Sequence, residues 1–190
     1  MKISDNFEKD NLFFTSDTHF FHRSVISFCD RPYKNAEEMN YALIENWNKV
    51  VGVDDIVFHL GDIALGGSNK KVSQVLNKLN GKIYLVTGNH DYKILRTRYI
   101  RNRFEDISDL CVIKVTDLDA LYGVQKLVLS HYPMCSWEAK ERGSIQLFGH
   151  THGSFKNHHN NQIEVGVDVQ NYQPVSYNDV MIQIKNQWIK

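Results

Sequence analysis

Five short apolar runs recur along the first 148 residues, and each of them is followed by a cluster of polar residues. Each run is four or five residues long and rich in β-branched or aromatic side chains, which is typical of buried strands. The runs are residues 12–16, 56–60, 83–87, 127–130 and 145–148. Three further segments, residues 111–115, 163–167 and 180–184, are also predicted to be extended. A chain with this pattern builds its core around a sheet.

Two amphipathic helical patterns separate the first three runs. Asn35 precedes Glu38 at the spacing of a capping box, and apolar residues then recur at spacings of three and four. These apolar residues are Met39, Leu43, Trp47 and Val50. The second pattern contains Val72, Val75, Leu76 and Leu79 and is closed by Asn80-Gly81. The order β-α-β-α-β predicts a parallel sheet in the first half of the chain.

The composition is that of an ordinary globular protein, with 42% apolar and 23% charged residues among 190. Lys+Arg and Asp+Glu number 22 each, so the charge favours neither nucleic acid nor an anionic membrane as a partner. An odd number of separate cysteines, three, indicates a reducing compartment. The start lacks the apolar segment of a signal peptide, and no run approaches the roughly 20 apolar residues of a membrane span. We expect one α/β domain, residues 1–190, in the cytoplasm.

The polar clusters that follow the five runs contain the candidate functional residues. In an open α/β sheet, ligands bind at the carboxyl ends of the strands. The clusters are Asp17-Thr18-His19, Gly61-Asp62, Gly88-Asn89-His90-Asp91, His131-Tyr132-Pro133 and Gly149-His150-Thr151-His152-Gly153. One Asp or His at a strand end is commonly a turn or capping residue. Five such clusters in one chain predict a shared site at one edge of the sheet.

The residue types in these clusters indicate a metal centre. His150 and His152 are two residues apart, so on an extended backbone both imidazoles point to the same side. Imidazoles combined with carboxylates and an amide oxygen suit Mn²⁺, Fe or Zn²⁺. The candidates are too many for one tetrahedral ion but sufficient for two ions, which lie roughly 3.5–4 Å apart in sites that activate water for in-line attack on phosphorus.

Taken together, the five clusters resemble the calcineurin-like metallophosphoesterases, with every cluster present in order between residues 17 and 152. The surrounding stretches SDTHFFHRSVISFCDRP, FHLGD and VGVDVQNY are similar to a small bacterial or phage-type branch of that family. The resemblance implies a four-layer α-β-β-α sandwich with mixed sheets and the site at the sheet ends. It also implies two divalent ions, with Mn²⁺ as the first choice and Fe, Zn²⁺ or Ni²⁺ as alternatives.

The resemblance further implies a role for each residue. The first ion is assigned to Asp17, His19 and His152, the second ion to Asn89, His131 and His150, and the bridging position to Asp62. His90 is expected to stabilise or protonate the departing oxygen, with Asp91 orienting it. This division is chemically sound, since a ligand shared by two cations must be an anion. A residue that assists the leaving group must titrate near neutrality, as an uncoordinated histidine does.

The function expected from the resemblance is hydrolysis of a nucleotide or small phosphodiester through in-line attack of a metal-bridging hydroxide. The protein Ser/Thr phosphatases of this superfamily carry an arginine soon after Gly-Asp, whereas here residues 63–67 are IALGG. Protein substrates are therefore disfavoured. The alternatives are a phosphomonoesterase acting on a small metabolite and a catalytically weak scaffold protein. The expected partner is a small phosphorylated substrate, with no membrane and no stable nucleic-acid complex.

Several residues near the clusters have two open interpretations. His22 could contact the substrate phosphate or pack in a turn, and Arg23 and Arg31 could clamp the phosphate or lie at the surface. Asp168 could orient a metal-bound histidine or cap a turn.

For other residues the structural interpretation is favoured. His59 is expected to be a hydrogen-bonded core histidine, and the basic run 93–103 a solvated helix. Residues 156–162, including His158 and His159, are expected to form a solvated hairpin loop. A nucleophilic thiol needs a base as a partner, and the histidines are better explained as metal ligands. Neither Cys29 nor Cys135 is therefore expected to be a nucleophile.

Overall fold

Two five-stranded sheets lie at the centre of the computed structural model, which describes residues 2–120, 123–156 and 159–188. In spatial order, the first sheet contains β1 (Lys2–Glu8), β6 (Leu110–Thr116), β7 (Val124–Ser130), β8 (Ile145–Phe148) and β9 (Gln162–Glu164). The second sheet contains β10 (Val175–Ser176), β2 (Leu12–Thr15), β3 (Ile56–His59), β4 (Lys82–Val86) and β5 (Phe104–Ser108). The five apolar runs of the sequence thus become β2, β3, β4, β7 and β8, while β1, β5 and β10 were not predicted.

Both sheets are mixed. In the second sheet β2, β3, β4 and β5 are parallel neighbours, and only β10 runs antiparallel to β2. In the first sheet β6 and β7 are antiparallel, whereas the β1–β6, β7–β8 and β8–β9 pairs are parallel. The parallel order predicted for the first half of the chain is therefore confirmed, and the carboxyl ends of β2, β3 and β4 lie side by side.

The helices are α1 (Arg23–Phe28), α2 (Ala36–Val50), α3 (Asn69–Leu76), α4 (Arg98–Arg101) and α5 (Tyr177–Trp188). Asn35 caps α2 as predicted, because its side chain accepts a 2.9 Å hydrogen bond from the Glu38 backbone. Ser68 caps α3 in the same way. Among the described residues, no helix is long and apolar enough to cross a membrane.

Alternate side chains of the second sheet face two different apolar layers. Phe58 of β3 belongs to the layer between the two sheets, which also contains Leu127 and Leu147 of the first sheet. Its neighbour Val57 belongs to the layer under the helices, where it joins Trp47 of α2. Because successive side chains of a strand point to opposite faces, the second sheet is covered by helices on one face and by the first sheet on the other.

The outer face of the first sheet is covered by residues 131–144, which include the short 3-10 helix Lys140–Arg142. Trp137 is buried in this segment and donates to the Ser144 carbonyl at 3.2 Å. From the sheet below, the buried Gln146 and Gln162 side chains bond to the backbone of Met134. The predicted four-layer α-β-β-α sandwich with mixed sheets is confirmed, and its fourth layer is this thin segment.

Residues 180–184 are helical, which corrects the prediction that they are extended. Val180 and Ile184 are buried together with Tyr177, at the spacing of one helix face, whereas Ile182 is 55% exposed. The hydroxyl of Ser176 accepts from the Asp179 backbone at the start of the helix. The alternation Val-Met-Ile-Gln-Ile is compatible with both structures, and packing of α5 against β2, β9 and β10 selects the helix.

The basic run 93–103 forms the 3-10 helix Ile94–Arg96 and the short α4 instead of the single solvated helix that was predicted. Arg103 is half-buried, and its guanidinium donates to the carbonyl oxygens of Leu76, Leu79 and Gly81 at 2.9–3.1 Å. These carbonyl groups lie at the end of α3 and in the turn that follows it, where a helix leaves them without partners of its own. Arg103, which directly precedes β5, therefore links this end of α3 to β5.

A buried hydrogen bond joins α5 to the end of β6, and its removal is expected to destabilise the fold. The Tyr177 hydroxyl donates to Asp117 Oδ2 at 2.8 Å, and Lys9 donates to Oδ1 at 3.0 Å. Burial raises the pKa of Asp117, but these two bonds outweigh burial and bring it below its ordinary value. Tyr177→Phe is expected to lower the free energy of unfolding by about 2 kcal/mol at pH 7, the scale of a hydrogen bond to a charged group.

The pH dependence of this loss follows from the sign of the Asp117 shift. A carboxyl whose pKa is lower in the folded state stabilises the fold above its unfolded pKa of about 3.9, and the contribution disappears as the pH falls through the folded value. Urea unfolding between pH 7 and pH 3 is therefore expected to show the difference between Tyr177→Phe and wild type shrinking toward acid. The exposed Tyr41 gives the control Tyr41→Phe. A difference that grows toward acid would contradict this assignment.

Candidate metal centre

The loops that follow β2, β3, β4, β7 and β8 meet at one edge of the sandwich. Backbone hydrogen bonds join them, from Asp17 to the Gly61 carbonyl at 2.9 Å and from Gly149 to the His131 carbonyl at 2.9 Å. A third bond crosses between the two sheets, where the His150 N–H donates to Asp17 Oδ2 at 2.9 Å. The five polar clusters of the sequence are therefore brought together.

The described residues contain three groups of potential ligands: one joins His152 to Cys29 and Asp168, and the other two are formed by residues of the five clusters. One ligand atom from each of Asp17, His19 and His152 lies within 4.8 Å of the others, and the same holds for Asp62, His131 and His150. Asn89 joins the second group, because its Oδ1 lies 3.1 Å from His131 Nε2. These groups contain the seven residues for which a metal role was predicted.

Asp62 lies between the two groups. Its Oδ2 is 3.6 Å from His19 Nε2 in the first group and 3.5 Å from His131 Nε2 in the second. Burial raises the pKa of Asp62, but hydrogen bonds from His131 and from the His90 backbone outweigh burial and lower it to about 2. One side chain that is anionic at neutral pH thus faces both groups.

The imidazoles are oriented by bonds on their outer nitrogens. His131 Nδ1 donates to the Leu60 carbonyl at 2.7 Å, and His152 Nδ1 donates to Asp168 Oδ2 at 2.6 Å. Each bond leaves Nε2 directed at the centre, as in histidines that bind metal ions. Burial lowers the pKa of His19 to about 3, which keeps this imidazole in the neutral form that coordinates metals.

The first group contains buried polar atoms that the protein leaves unpaired. Asp17 Oδ2 accepts from Ser16 and His150, whereas Asp17 Oδ1 has no hydrogen-bond partner within the described part of the chain. Burial raises the pKa of Asp17 to about 6. A buried, unpaired carboxylate oxygen is destabilising, and a cation at this position would satisfy it. The donor set of nitrogen and oxygen atoms therefore fits a divalent ion.

Backbone geometry places the ligands at this edge. Five of them have left-handed conformations, with φ of 57° at Asp17, 48° at His19, 58° at Asp62, 72° at His150 and 47° at His152. Such strain is concentrated at functional sites and is maintained by the surrounding structure. Gly149 is required for close approach, because a Cβ there would collide with Ser16 Oγ and Asp17 Oδ2. Local turns thus direct side chains of strand-end residues into the centre.

His90 lies at the opening of the site. Its Nε2 is 3.9 Å from Asp62 Oδ2, and 36% of its side chain is exposed. It belongs to none of the three potential ligand groups found among the described residues. The ring is therefore placed to reach a substrate that enters from solvent.

Asp91 directs its carboxylate at the backbone and not at the His90 ring. Oδ2 accepts from the N–H groups of Asp62 and Gly88 at 2.8 Å, and Oδ1 accepts from Ile63 at 2.9 Å. Burial raises the pKa of Asp91. The predicted role of orienting His90 is wrong, because this carboxylate instead fixes the loop that carries Asp62.

Comparison with known proteins agrees with this geometry. The family model of the calcineurin-like phosphoesterases matches residues 11–154, which include every ligand named above. The chain belongs to this family. A metal-dependent phosphoesterase in general is the function that membership supports.

Relatives of this phosphoesterase are found in an archaeon and in bacteriophages. An uncharacterized protein of Methanocaldococcus jannaschii is 36% identical over 180 residues, covering 91% of this chain and 90% of its own length. The gene 66 protein of Mycobacterium phage L5 is 29% identical over 182 residues, covering 83% of this chain and 86% of its own. The phage relative fits the predicted phage-type branch. A protein of unknown function from Aquifex aeolicus has the same fold, with a TM-score of 0.68 at 23% identity over 90% of this chain and 97% of that one.

Within this phosphoesterase, the three residues considered for substrate binding occupy different positions. His22 is half-buried beside the centre, with its ring centroid 5.3 Å from that of His19. Arg23 is exposed at the start of α1. Arg31 is buried, and its guanidinium donates to both carboxylate oxygens of Asp168 at 2.7 and 2.8 Å. Both interpretations of Arg31, a phosphate clamp and a surface residue, are wrong, since this side chain is buried and bonded to an internal partner.

Arg31 and Asp168 form a support for the first ligand group, and sequence analysis missed the role of Arg31. Asp168 accepts from His152, while Arg31 also donates to the Asp17 and Thr18 carbonyls at 2.7 and 3.1 Å. Of the two interpretations of Asp168, orientation of a histidine is the one observed. No local signal identifies the pair, because its members are 137 residues apart.

The remaining candidates behave as structural residues. His59 is buried between the Thr18 hydroxyl and the Gly61 N–H, and burial lowers its pKa to about 3, as expected of a neutral core histidine. Burial raises the pKa of Cys29 to about 11, so this thiol stays protonated although it lies near His152 and Asp168. Cys135 and His159 are exposed, and His158 lies outside the described residues.

Asp168→Asn is expected to weaken binding of one of two metal ions by roughly 10–100-fold, the usual effect of losing the acceptor that fixes a metal-bound histidine. The change keeps the size of the side chain but removes the charge that pairs with Arg31 and orders His152. Competition with a chromogenic chelator measures the two affinities. Exposed Asp54 provides the control Asp54→Asn. Unchanged affinity for both ions would contradict the support role.

Proposed function

We propose that this calcineurin-like phosphoesterase is a phosphodiesterase that uses two divalent ions, Mn²⁺ in the first instance, to hydrolyse a nucleotide or another small phosphodiester. The observation that carries the proposal is the position of Asp62, whose carboxylate Oδ2 is 3.6 Å from His19 Nε2 and 3.5 Å from His131 Nε2. A carboxylate between two sets of imidazole ligands is the arrangement that a pair of cations requires.

The proposed ligands of the two ions correspond to the two groups described above. Asp17, His19 and His152 would hold one ion, Asn89, His131 and His150 the other, and Asp62 both. These nitrogen and oxygen donors suit Mn²⁺, Fe, Zn²⁺ or Ni²⁺. When bound, such ions lower the pKa of water toward about 7 and neutralise charge on phosphate oxygens. The chain itself contributes the position of each ligand and the orientation of each imidazole.

His90 is proposed as the residue that gives a proton to the departing oxygen. A partly exposed imidazole outside both ligand groups keeps a nitrogen available for substrate. The His90 backbone N–H donates to Asp62 Oδ1 at 2.9 Å, so the same residue is held against the bridging carboxylate. Histidine is the side chain that most often serves as a general acid or base in enzymes.

The charges around the centre favour a diester over a monoester. A monoester carries a second negative charge, and recognition of that charge uses cationic side chains. Arg31 is committed to Asp168, and residues 63–67 bring no arginine to the site. A diester, with one charge, needs no such clamp. The expected partner is therefore a small phosphodiester, and the three free cysteines among the described residues support the proposal of a cytoplasmic enzyme.

The test is hydrolysis of bis(p-nitrophenyl) phosphate beside p-nitrophenyl phosphate by protein stripped with a chelator. Re-addition of Mn²⁺ is expected to restore cleavage of the diester at a higher kcat/KM than cleavage of the monoester, with Mg²⁺, Zn²⁺ and Ni²⁺ assayed in parallel. Cleavage of the monoester alone would replace the proposal with a phosphomonoesterase. Cleavage of neither substrate by protein that has taken up metal would favour a scaffold protein.

A further inference from the structure

We propose that a groove beside the second ligand group binds the nucleobase of the substrate, an inference that rests on the phosphodiesterase function proposed above. The groove lies between the ends of β4 and β7 and has a volume of about 420 Å³. Its lining includes Asn89, Asp109, Leu110, His131, Tyr132 and Met134. This volume lies within the range of roughly 300–1,000 Å³ found for small-molecule sites.

The groove is continuous with the candidate metal centre. Asn89 and His131 line it and also belong to the second ligand group, where Asn89 Oδ1 and His131 Nε2 are 3.1 Å apart. A substituent on a phosphate held at this group would therefore lie next to the groove. The groove can receive the second ester substituent that distinguishes a diester from a monoester.

Tyr132 supplies an aromatic wall in a defined orientation. The residue is 49% exposed, and the centroid of its ring lies 4.5 Å from that of His150 and 5.0 Å from that of His131, at steep interplanar angles. Its hydroxyl donates to Asn89 Oδ1 at 3.3 Å. An exposed aromatic ring held in this way is a stacking surface for a flat group, and nucleobases of every kind stack on such rings.

A buried polar network holds the segment that carries this wall. Gln146 donates to the Tyr132 carbonyl at 3.0 Å and accepts from the Met134 N–H at 3.2 Å. Gln162 donates to the Met134 carbonyl at 2.8 Å. Both glutamine side chains are fully buried, and burial of an amide is destabilising unless it is hydrogen-bonded. The network therefore fixes residues 132–134 in advance, which reduces the entropy lost on binding.

The lining of the groove also contains a carboxylate. Asp109 is exposed and accepts from the Thr87 hydroxyl at 2.6 Å, while Leu110 and Met134 are apolar residues of the same lining. A carboxylate at this position repels a second phosphate and offers an acceptor to the amino group of a base. A nucleobase fits this combination of aromatic, apolar and acceptor groups, whereas the phosphate chain of a polyphosphate does not.

The test is equilibrium binding to the Mn²⁺-loaded protein of two monoesters that share a phosphate but differ in the group attached to it. Calorimetric titration is expected to show that adenosine 5′-monophosphate binds at least about tenfold more tightly than methyl phosphate, the scale of one stacked base. Tyr132→Ala is expected to remove most of that preference. Tyr132→Phe is expected to keep it, because stacking needs the ring and not the hydroxyl. Tyr41→Ala, at an exposed tyrosine of α2, is the matched control.

The outcomes separate this inference from the function on which it rests. Equal affinity of the wild-type protein for the two ligands, with metal-restored hydrolysis of bis(p-nitrophenyl) phosphate intact, would overturn the groove and leave the phosphodiesterase standing. An equal loss in Tyr132→Phe and Tyr132→Ala would also overturn it, since the Tyr132 hydroxyl would then act only by positioning Asn89. Absence of hydrolysis despite tight nucleotide binding would overturn the proposed function and not the groove.

Discussion

Asp62→Asn is expected to reduce the bound metal from two ions to one or none and to lower turnover of a phosphodiester by roughly 10³-fold, the scale of removing a group that stabilises charge in the transition state. Asparagine has the shape of aspartate but not its charge, and the pKa of Asp62, lowered to about 2, shows that this residue is anionic at neutral pH. Without that charge, no anion at residue 62 would offset the repulsion between two cations bound beside His19 and His131. Metal analysis after gel filtration and hydrolysis of bis(p-nitrophenyl) phosphate measure the two effects.

The loop around residue 62 is expected to keep its structure in this variant. Asp91 holds the N–H groups of residues 62 and 63, and neither bond depends on the charge of the Asp62 side chain. Asp54→Asn, at an exposed aspartate, controls for the chemical change itself. Turnover and metal content near those of the wild type in Asp62→Asn would remove this residue from the bridging position.

His90→Ala is expected to retain both metal ions and to slow turnover of a diester with an alkyl leaving group by roughly 10²–10⁴-fold, the usual contribution of acid–base assistance. The ring is outside both ligand groups, so metal binding does not need it, whereas an alkoxide leaving group does need a proton. The loss is expected to be large for a diester with an alkyl leaving group and small for one that releases p-nitrophenolate, which departs without a proton. Measurement of kcat for the wild type and for His90→Ala with both diesters tests this dependence on the leaving group.

The control for His90→Ala is His159→Ala, at an exposed histidine that packs beside Trp137 in the outer layer. Its turnover is expected to match that of the wild type. Loss of one metal ion on His90→Ala would make His90 a ligand. An equal loss of rate with both leaving groups would show that it does not act as the proton donor.

Unlike β1, β5 and β10, the strands β2, β3, β4, β6, β7, β8 and β9 and the helices α2 and α3 could be predicted from the sequence. These features are encoded locally, in the period of the apolar residues and in the cap at Asn35. That the polar clusters meet could also be predicted, because the carboxyl ends of adjacent parallel strands lie at the same edge of a sheet. Residues as far apart as Asp17 and His150 were thus expected in one site, and they are in contact.

The supporting contacts were decided by the tertiary structure alone. Arg31 meets Asp168 across 137 residues, and Asp91 bonds to the loop of Asp62 instead of to the adjacent His90 ring. The segment 180–184 has a pattern that fits a strand or a helix equally, and packing on the sheets makes it part of α5. Tyr132 resembles any turn tyrosine until Gln146 and Gln162, buried beneath it, fix its loop beside the centre. A local sequence pattern indicates which side chains are buried and which are polar. The hydrogen-bond partner of each polar side chain depends on long-range packing, because residues far apart in the sequence meet only in the folded protein.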